Sequence, residues 1–197
     1  MQVVTHSDPD HYGGLASVQW ALDIGELRSS LEGMGGTRCQ SGQQWTWDGV
    51  LFEVLHPTGD DYANKRKSNN LSCVLRVTAG GRRVLLTSDI EARDEAALLE
   101  RYPGDLAADV LLVPHHGSKT SSTPEFMAAV AAADVLIPVG YRNRFGHPKP
   151  EVLERYTASG SRIWRTDRDG ALRLRLAADG VTPVAWRTEH KRYWHGR

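Results

Sequence analysis

Four short apolar runs in this chain lead directly into histidine or aspartate residues. Val3-Val4 leads to His6, "RRVLLT" to Asp89, "VLLVP" to His115 and "VLIPVG" to the loop that carries His147. Short apolar runs bounded by turn residues are typical of buried strands. If these strands share a sheet, their ends meet at one edge, where open sheets bind ligands. The pattern therefore predicts a polar site at the edge of a sheet.

The remaining pattern predicts a mixed α/β domain in which strands, hairpins and helices alternate. Asp48-Gly49 marks a hairpin between two β-branched and aromatic runs, and Gly80-Gly81 marks a second turn. Thr123 is a predicted helix cap with Pro124 at the first helical position. Helical spacing covers 15–34, 91–101, 123–133 and 149–160, while the polar stretch 60–70 is a predicted loop. We expect one domain over 1–197, with 187–197 as a disordered tail.

Composition limits the class of protein. A hydrophobic content of 40% in 197 residues supports one ordinary core. No apolar run reaches the roughly 18 residues of a membrane span, and the N-terminus has no signal-peptide pattern, so we expect a soluble chain. Cys39 and Cys73 form neither a disulfide framework nor a thiolate zinc site, and we expect two free thiols.

Charge is unevenly distributed along the chain although the net charge is zero. Residues 1–141 hold 11 Lys+Arg against 18 Asp+Glu, whereas residues 142–197 hold 13 against 6. Two interpretations fit this distribution of charge. It is either an ordinary solvated surface, or an acidic, metal-holding front with a basic flank that attracts phosphates. Charge alone does not distinguish the two.

The opening stretch "THSDPDHYGG" places four metal-competent side chains within six residues: His6, Asp8, Asp10 and His11. A bound metal would offset the repulsion between two carboxylates held so close together. Each residue alone is more simply a capping aspartate or a surface histidine. The further clusters at other strand ends favour a metal site for the set.

These segments together resemble a known family. "THSDPDHYGGL" is similar to the H-x-H-x-D-H signature of metallo-β-lactamase-fold hydrolases, with Asp8 in the place of the second histidine. Together with four further segments, this stretch resembles the C-terminal domain of ComEC-type DNA-uptake proteins, and the resemblance covers nearly the whole chain. Those segments are "LLTSDIEARDEAALL", "VLLVPHHGSKTSSTPEF", "LIPVGYRNRFGHPKPEVLERY" and "RTDRDGALRLRL". The resemblance implies an αββα sandwich with a one- or two-metal site at the edge of the sheets.

The resemblance also implies roles for individual residues. His6 and Asp8 would hold one metal, while Asp10 and His11 would hold the second. Asp89, in "TSD" where the family more often has "TGD", would bridge the two. Asp10 would in addition orient or deprotonate the attacking water.

Further histidines follow from the same motifs. His147 matches the last histidine motif of the fold. Of the pair in "PHHGS", we favour His116 as a site residue with a catalytic part, and His115 is a possible additional ligand. The middle histidine of the superfamily has no clear match, and either Asn69 or Asn70 lies in roughly that region. His56, beside Pro57, is more simply a turn residue.

Metal and phosphate contacts are further expectations. An oxygen-rich ligand set ranks Mn²⁺ level with or above Zn²⁺, although zinc is the fold's commonest metal. Hydroxyls and one cation follow the histidine pair, and this stretch is either a loop rich in helix caps or a phosphate cradle. Basic groups near His147 could position a nucleic-acid backbone. The candidate phosphate- and DNA-binding residues are Ser118, Lys119, Thr120, Ser121, Arg142, Arg144 and Lys149.

Three functions remain open from the sequence. The first is a metal-dependent nuclease of DNA uptake, with single-stranded DNA and the family's membrane channel domain as partners, on the outer face of the cytoplasmic membrane. The second is a hydrolase of small esters or phosphoesters, and the third is a non-catalytic domain that binds DNA or the channel. Because the family has a hairpin region before the first motif, we expect a fragment whose Val3-Val4 strand is an unpaired edge.

Overall fold

The computed structural model describes residues 1–31, 33, 35–64 and 66–194 and has a seven-stranded sheet at its centre. The strands are β1 (Gln2–Val4), β2 (Leu27–Ser29), β3 (Thr37–Arg38), β4 (Gln44–Trp47), β5 (Val50–His56), β6 (Val74–Ala79), β7 (Arg82–Leu86), β8 (Val110–Leu112), β9 (Asp134–Ile137), β10 (Arg162–Arg165), β11 (Leu172–Ala177) and β12 (Gly180–Ala185). The α-helices are α1 (Pro9–Tyr12), α2 (Leu15–Ala21), α3 (Gly59–Ala63), α4 (Ala92–Arg101), α5 (Pro124–Val130), α6 (Pro150–Ala158), α7 (Thr166–Asp169) and α8 (Trp186–Glu189). Two 3₁₀ turns span Asn69–Leu71 and Pro114–Gly117.

The large sheet has the order β10-β9-β8-β7-β6-β5-β4. Neighbouring strands are antiparallel from β4 to β7 and parallel from β7 to β10. Both predicted hairpins are confirmed. Asp48 and Gly49 have φ of 48° and 78°, the positive pair that a tight hairpin turn needs. Because β7, β8 and β9 run in the same direction, the segments that follow them leave the sheet at one edge.

Successive residues of β7 point to opposite faces of the large sheet and so pack into different hydrophobic cores. Leu85 packs with the core that α4, α5 and α6 cover, whereas Val84 and Leu86 belong to the cores on the other face. That other face is covered by the β11–β12 hairpin through Leu172 and Leu174, and by the small parallel sheet β1-β2-β3. Helices on one face and a second β layer on the other confirm the predicted mixed α/β sandwich.

The predicted helix signals are confirmed at the helices that cover the sheet. The Thr123 hydroxyl accepts the Phe126 amide at the start of α5, and Pro124 occupies the first turn. Gly160 follows α6 with φ of 78°, a conformation that glycine adopts without a steric penalty. These caps orient the helices whose apolar faces form the larger core.

The predicted helix over 15–34 is wrong beyond Ala21. The helix α2 ends there, and Leu27–Ser29 forms a strand that pairs in parallel with β1. Residues 32 and 34 of that segment lie outside the described residues. Strand pairing overrides helical spacing here because it satisfies the backbone of β1. The expectation that Val3-Val4 is an unpaired edge is wrong in part, because β1 pairs with β2 on one side although it is still the edge strand of the small sheet.

The predicted loop at 60–70 is wrong in part. The helix α3 begins with a capping box in which the Thr58 hydroxyl accepts the Asp61 amide and Asp61 accepts the Thr58 amide. The short turn Asn69–Leu71 follows, while residue 65 lies outside the described residues. The capping signal Thr58-x-x-Asp61 was present in the sequence beside the stretch called a loop.

The expectation of two free thiols is also wrong, because Cys39 and Cys73 form a disulfide with a Cα–Cα distance of 6.1 Å. Both cysteines are fully buried with Val54 and Leu75. The sequence separation of 34 residues hides a contact that only the folded sheets create. Of the predicted tail 187–197, residues up to Glu189 extend the one-turn helix α8, and 195–197 lie outside the described residues.

Candidate metal centre

Three strand ends bring the predicted polar clusters to one edge of the sheets. β1 leads through Thr5 to His6, and the one-turn helix α1 then carries Asp10 and His11. β7 leads to Asp89, and β8 leads to the 3₁₀ turn Pro114–Gly117 that carries His115 and His116. The strand-end pattern therefore brings together groups from three separate parts of the chain.

Two groups of side chains that share His11 could each hold a metal ion. The first is His6, His11 and Asp89, and the second is Asp10, His11 and His116. Within each group the ligand atoms all lie within 4.8 Å of one another. In the first group, His11 Nε2 lies 3.3 Å from Asp89 Oδ1 and His6 Nε2 lies 3.8 Å from Asp89 Oδ2. In the second, His116 Nε2 lies 3.2 Å from Asp10 Oδ2. Because His11 belongs to both groups, the donors form one continuous site.

The arrangement of nitrogen atoms fits a cation. His6 Nε2 is buried and has no hydrogen-bond partner among the described residues, while His11 Nε2 and His116 Nε2 face each other at 3.3 Å. A buried polar atom without a partner is costly, and two facing imidazole nitrogens need a proton or a cation between them. Imidazole and carboxylate donors are ligands of both Zn²⁺ and Mn²⁺. These residues fit a divalent metal.

The opposite nitrogens of these rings face hydrogen-bonding groups of the protein. His116 Nδ1 donates to the Pro138 carbonyl at 2.6 Å, which leaves Nε2 free for a ligand. His6 Nδ1 lies 3.2 Å from the Ser88 hydroxyl, and the Thr5 hydroxyl lies 3.2 and 3.3 Å from the Nδ1 atoms of His6 and His11. Outer partners of this kind orient metal-binding histidines.

These outer partners were not predicted from the sequence. Thr5 and Ser88 directly precede the motif residues His6 and Asp89, and this adjacency is the sequence signal that could have identified them. Pro138 acts through its backbone carbonyl, which no residue type marks.

Electrostatics separate the three groups of the first cluster. Burial lowers the pKa of His6, and the neighbouring His11 lowers it further. Burial opposes charge on His11 and Asp89 as well. Their mutual hydrogen bond and the opposite charges nearby together outweigh burial, so the pKa of His11 is raised and the pKa of Asp89 is lowered. Of His6 and His11, His11 therefore holds a proton more readily, beside the Asp89 carboxylate.

The backbone around the site adopts conformations that are unusual for non-glycine residues. Ser88, His115 and His116 have φ of 52°, 48° and 55°, and such strain is concentrated at functional sites. The φ of Ser88 is one that glycine adopts without a steric penalty. Gly117 has φ of 79°, and a Cβ at this position would lie 2.6 Å from Pro148 Cβ, so the histidine turn packs closely against the segment that carries His147.

Three predicted ligands lie at the border of the site. The Asp8 side chain is 43% exposed, and its Oδ2 lies 3.9 Å from His6 Nε2. His115 Nε2 lies 3.9 Å from Asp89 Oδ2 and 3.4 Å from Asn69 Nδ2. The His147 ring centroid lies 6.0 Å from that of His115. None of the three belongs to the two tight groups of ligand atoms.

Asn70 lies in a separate buried network. Its Nδ2 donates to Asp94 at 2.7 Å, and its carbonyl lies 2.8 Å from His56 Nε2. The other His56 nitrogen lies 3.5 Å from Asp61. The structure thus places Asn70 and His56 in the support of α3 and α4, whereas the neighbouring Asn69 reaches the site through His115.

The predicted phosphate-binding residues divide into buried and exposed ones. Ser118 and Ser121 are buried, and the Ser121 hydroxyl donates to the Pro114 carbonyl at 3.0 Å. Thr120 Oγ1 lies 3.2 Å from His115 Nδ1, and Lys119 is exposed. The serines therefore hold the histidine turn in shape, while Thr120 and Lys119 face outward.

A cleft of about 620 Å³ opens beside the donors and is lined by Asp10, His11, His116, Phe145 and His147, among others. The other predicted cations lie next to its lining residues along the chain. Arg142 and Arg144 are exposed on either side of Asn143, which lines the cleft, and Lys149 Nζ donates to the Phe145 carbonyl at 2.7 Å. The metal-competent groups thus border an open cleft beside a basic loop.

The sequence profile of the metallo-beta-lactamase superfamily matches residues 3–140, which contain both groups of donors. The chain belongs to the metallo-beta-lactamase superfamily. This membership agrees with the layered α/β fold and implies a divalent metal site. The fold is that of metal-dependent hydrolases.

Individual relatives narrow the comparison. The chain is 39% identical to competence protein ComA of Neisseria gonorrhoeae over 98% of its length, and 31% identical to ComE operon protein 3 of Bacillus subtilis over 88%. It spans 27% and 24% of those two proteins, about a quarter of each. These matches agree with the predicted resemblance to ComEC-type competence proteins.

A solved structure supports the fold alone. CmlA, a diiron beta-hydroxylase from Streptomyces venezuelae, aligns with a TM-score of 0.54 and 12% identity, over 93% of this chain and 44% of that one. Across the described residues, none of the helices has the length and apolar character needed to cross a bilayer.

Proposed function

We propose that this chain is a metal-dependent nuclease that hydrolyses DNA phosphodiesters during DNA uptake. The observation that carries the proposal is the convergence of His6, His11, Asp89, Asp10 and His116 beside a cleft that Asp10, His11 and His116 line. Similarity to competence proteins supports DNA as the substrate class. The exposed Arg142 and Arg144, which flank a lining residue of the cleft, match the phosphates of such a substrate.

The proposed chemistry assigns work to residues of the chain. A divalent ion held by these donors would supply Lewis acidity, lowering the pKa of water and stabilising charge that develops on the phosphoryl oxygens. Asp10 is 63% exposed and faces the cleft, so it can accept the proton of the attacking water. His116, whose Nδ1 donates to Pro138, keeps a fixed orientation opposite Asp10.

The ligand set supports Mn²⁺ as well as Zn²⁺. The two groups contain three imidazoles and two carboxylates, and Asp8 adds a further carboxylate at the border. Oxygen donors suit Mn²⁺, whereas imidazole suits Zn²⁺ and several other ions. We propose one or two ions per chain, with Mn²⁺ the first to test.

Arg142, Arg144 and Lys149 would position the phosphate backbone, with Lys119 and Thr120 on the other side of His115. Contacts to phosphate fix position on the strand without reading sequence. Ser118 and Ser121 contribute by supporting the turn, since their hydroxyls are directed into the protein. The channel-forming part of the longer competence proteins is the proposed partner.

The test is cleavage of end-labelled DNA, single-stranded and duplex, by purified protein in Mn²⁺, in Zn²⁺ and in chelator. We expect metal-dependent cleavage by the wild type and its loss in Asp89→Ala, with an unchanged circular dichroism spectrum. A matched control is Asp48→Ala, which removes a carboxylate at a distant hairpin turn. Absence of cleavage by folded, metal-loaded wild type would reject the proposal, and turnover of chromogenic phosphodiesters with indifference to DNA would favour a small-molecule hydrolase.

A further inference from the structure

The loop that borders the cleft has an alternating sequence of aromatic and cationic residues. Residues 141–145, "YRNRF", contain Tyr141 and Phe145 with exposed fractions of 66% and 60%. Arg142 lies over the Tyr141 ring at 5.1 Å from its centroid, and Arg144 lies over the Phe145 ring at 4.9 Å. Large exposed rings are costly to maintain in water. We refer to residues 141–145 as the aromatic–arginine loop.

Phe145 is directly linked to the catalytic cleft. It lines the same cleft as Asp10 and His116, and its ring is nearly parallel to the His147 ring, at 16° with 6.0 Å between centroids. A group that stacks on Phe145 therefore lies next to the groups proposed to act on the phosphodiester.

The loop is held in shape by hydrogen bonds rather than by apolar packing. Asn143 makes two bonds to the backbone of His147: its Oδ1 accepts the amide at 3.0 Å and its Nδ2 donates to the carbonyl at 2.7 Å. Lys149 Nζ holds the Phe145 carbonyl at 2.7 Å. The aromatic rings are thus presented to solvent on a fixed support, which lowers the entropic cost of binding.

We infer that the aromatic–arginine loop is a stacking platform for the bases of single-stranded DNA, with Phe145 as its principal ring and Tyr141 as the second. Exposed aromatic rings beside arginines are the features with which proteins hold single strands without regard to sequence. In a duplex the bases stack on one another and leave no free face for Phe145. This inference rests on the proposed function and specifies which form of DNA the site takes.

The test measures binding in chelator, so that no cleavage occurs. The probes are a fluorescently labelled oligothymidine, the same strand with abasic residues at its central positions, and a duplex, followed by anisotropy. We expect Phe145→Ala to weaken oligothymidine binding about tenfold, at the lower end of the cost of losing one stacked base. We expect no change in its binding of the abasic strand, and Phe145→Tyr should retain wild-type affinity.

Trp47→Ala is the matched control, because Trp47 is a comparably exposed ring (59%) on β4, at the far end of the large sheet. It should bind all three probes as the wild type does. Equal oligothymidine affinity in wild type and Phe145→Ala would overturn the inference. So would an equal loss for the base-bearing and abasic strands, or an equal loss for the duplex.

Failure of the proposed nuclease is distinguishable from failure of the platform. A wild type that prefers base-bearing single strands but cleaves no DNA in Mn²⁺ keeps the platform and rejects the nuclease. A wild type that cleaves DNA while Phe145→Ala binds it unchanged keeps the nuclease and rejects the platform.

Discussion

Asp10 and Asp89 occupy contrasting environments within one site. Asp89 is buried and accepts a hydrogen bond from His11, which with the nearby His116 keeps its pKa low despite burial. Asp10 is largely exposed at the cleft, 3.2 Å from His116. A buried carboxylate among three imidazoles is suited to permanent ligation, and an exposed one at the cleft is suited to proton transfer.

Asp10→Asn is therefore expected to separate catalysis from metal binding. The amide cannot accept the proton of the attacking water, so we expect DNA cleavage to fall about 10²–10⁴-fold. The ion should still bind to His6, His11 and Asp89, a group of donors to which Asp10 does not belong. Single-turnover cleavage rates, measured beside calorimetric metal titrations, test this, and loss of metal binding in proportion to activity would contradict the division of roles.

Single residues of the site were predictable where a motif marked them. His6, Asp10, His11, Asp89 and His116 all lie in quoted motifs, and the structure brings them together. The Pro138 carbonyl was not predictable, because β9 brings a backbone acceptor to His116 and every residue type carries one.

At the scale of elements, spacing identified the helices whose apolar face covers the sheet, such as α4 and α5. It failed beyond Ala21, where α2 ends without burying any of its residues and β2 depends on pairing with β1. An element defined by a partner far along the chain, rather than by its own periodicity, carries a weak local signal.

One element carries a buried carboxylate, Asp134, whose ion pair with the exposed Arg162 contributes to stability in a way that depends on pH. Asp134, at the start of β9, accepts two bonds from Arg162 at 2.6 and 2.8 Å and one from the Trp164 indole at 2.7 Å. Burial alone would raise the pKa of Asp134, but these bonds outweigh it and lower the pKa. The carboxylate therefore stabilises the fold above its unfolded pKa of about 3.9, and this contribution is lost as pH falls through the lower folded value.

Asp134→Asn is expected to lower the free energy of unfolding by about 1.5–3 kcal/mol at neutral pH, the range for hydrogen bonds to a charged group. The difference from wild type should shrink as pH falls from the unfolded pKa of about 3.9 through the lower folded pKa of Asp134, where the wild-type carboxylate becomes protonated. Urea unfolding followed by tryptophan fluorescence across this pH range measures it. A difference that stays constant with pH would show that the carboxylate's charge is not what stabilises β9 against β10.

At the scale of the molecule, the metal-competent side chains come together only when both β layers are in place, because each layer supplies part of the set. The small sheet delivers His6, the large sheet delivers Asp89 and His116, and the Cys73 amide donates to the Thr5 carbonyl between them at 3.0 Å. The disulfide joins Cys39, next to β3, to Cys73, next to β6. The family resemblance implied the layers, but the two cysteines alone carried no sign of this link.

Reduction of the disulfide is expected to lower the free energy of unfolding by about 4 kcal/mol, the chain-entropy estimate for a loop of this length. Denaturant unfolding with and without reductant measures it, and the Cys39→Ala, Cys73→Ala double variant should be unaffected by reductant. A wild type equally stable in both conditions would show that the link does not constrain the unfolded chain.

The central claim is that the converging donors hold a divalent ion, and calorimetric titration of Mn²⁺ and Zn²⁺ into metal-free protein tests it most directly. We predict that at least one ion binds per wild-type chain. In Asp89→Ala, which removes a ligand, we expect a metal affinity at least about 100-fold weaker, a larger loss than the usual effect of changing an outer-shell residue. Asp48→Ala should match the wild type. Equal binding by wild type and Asp89→Ala, or no binding by either, would contradict it.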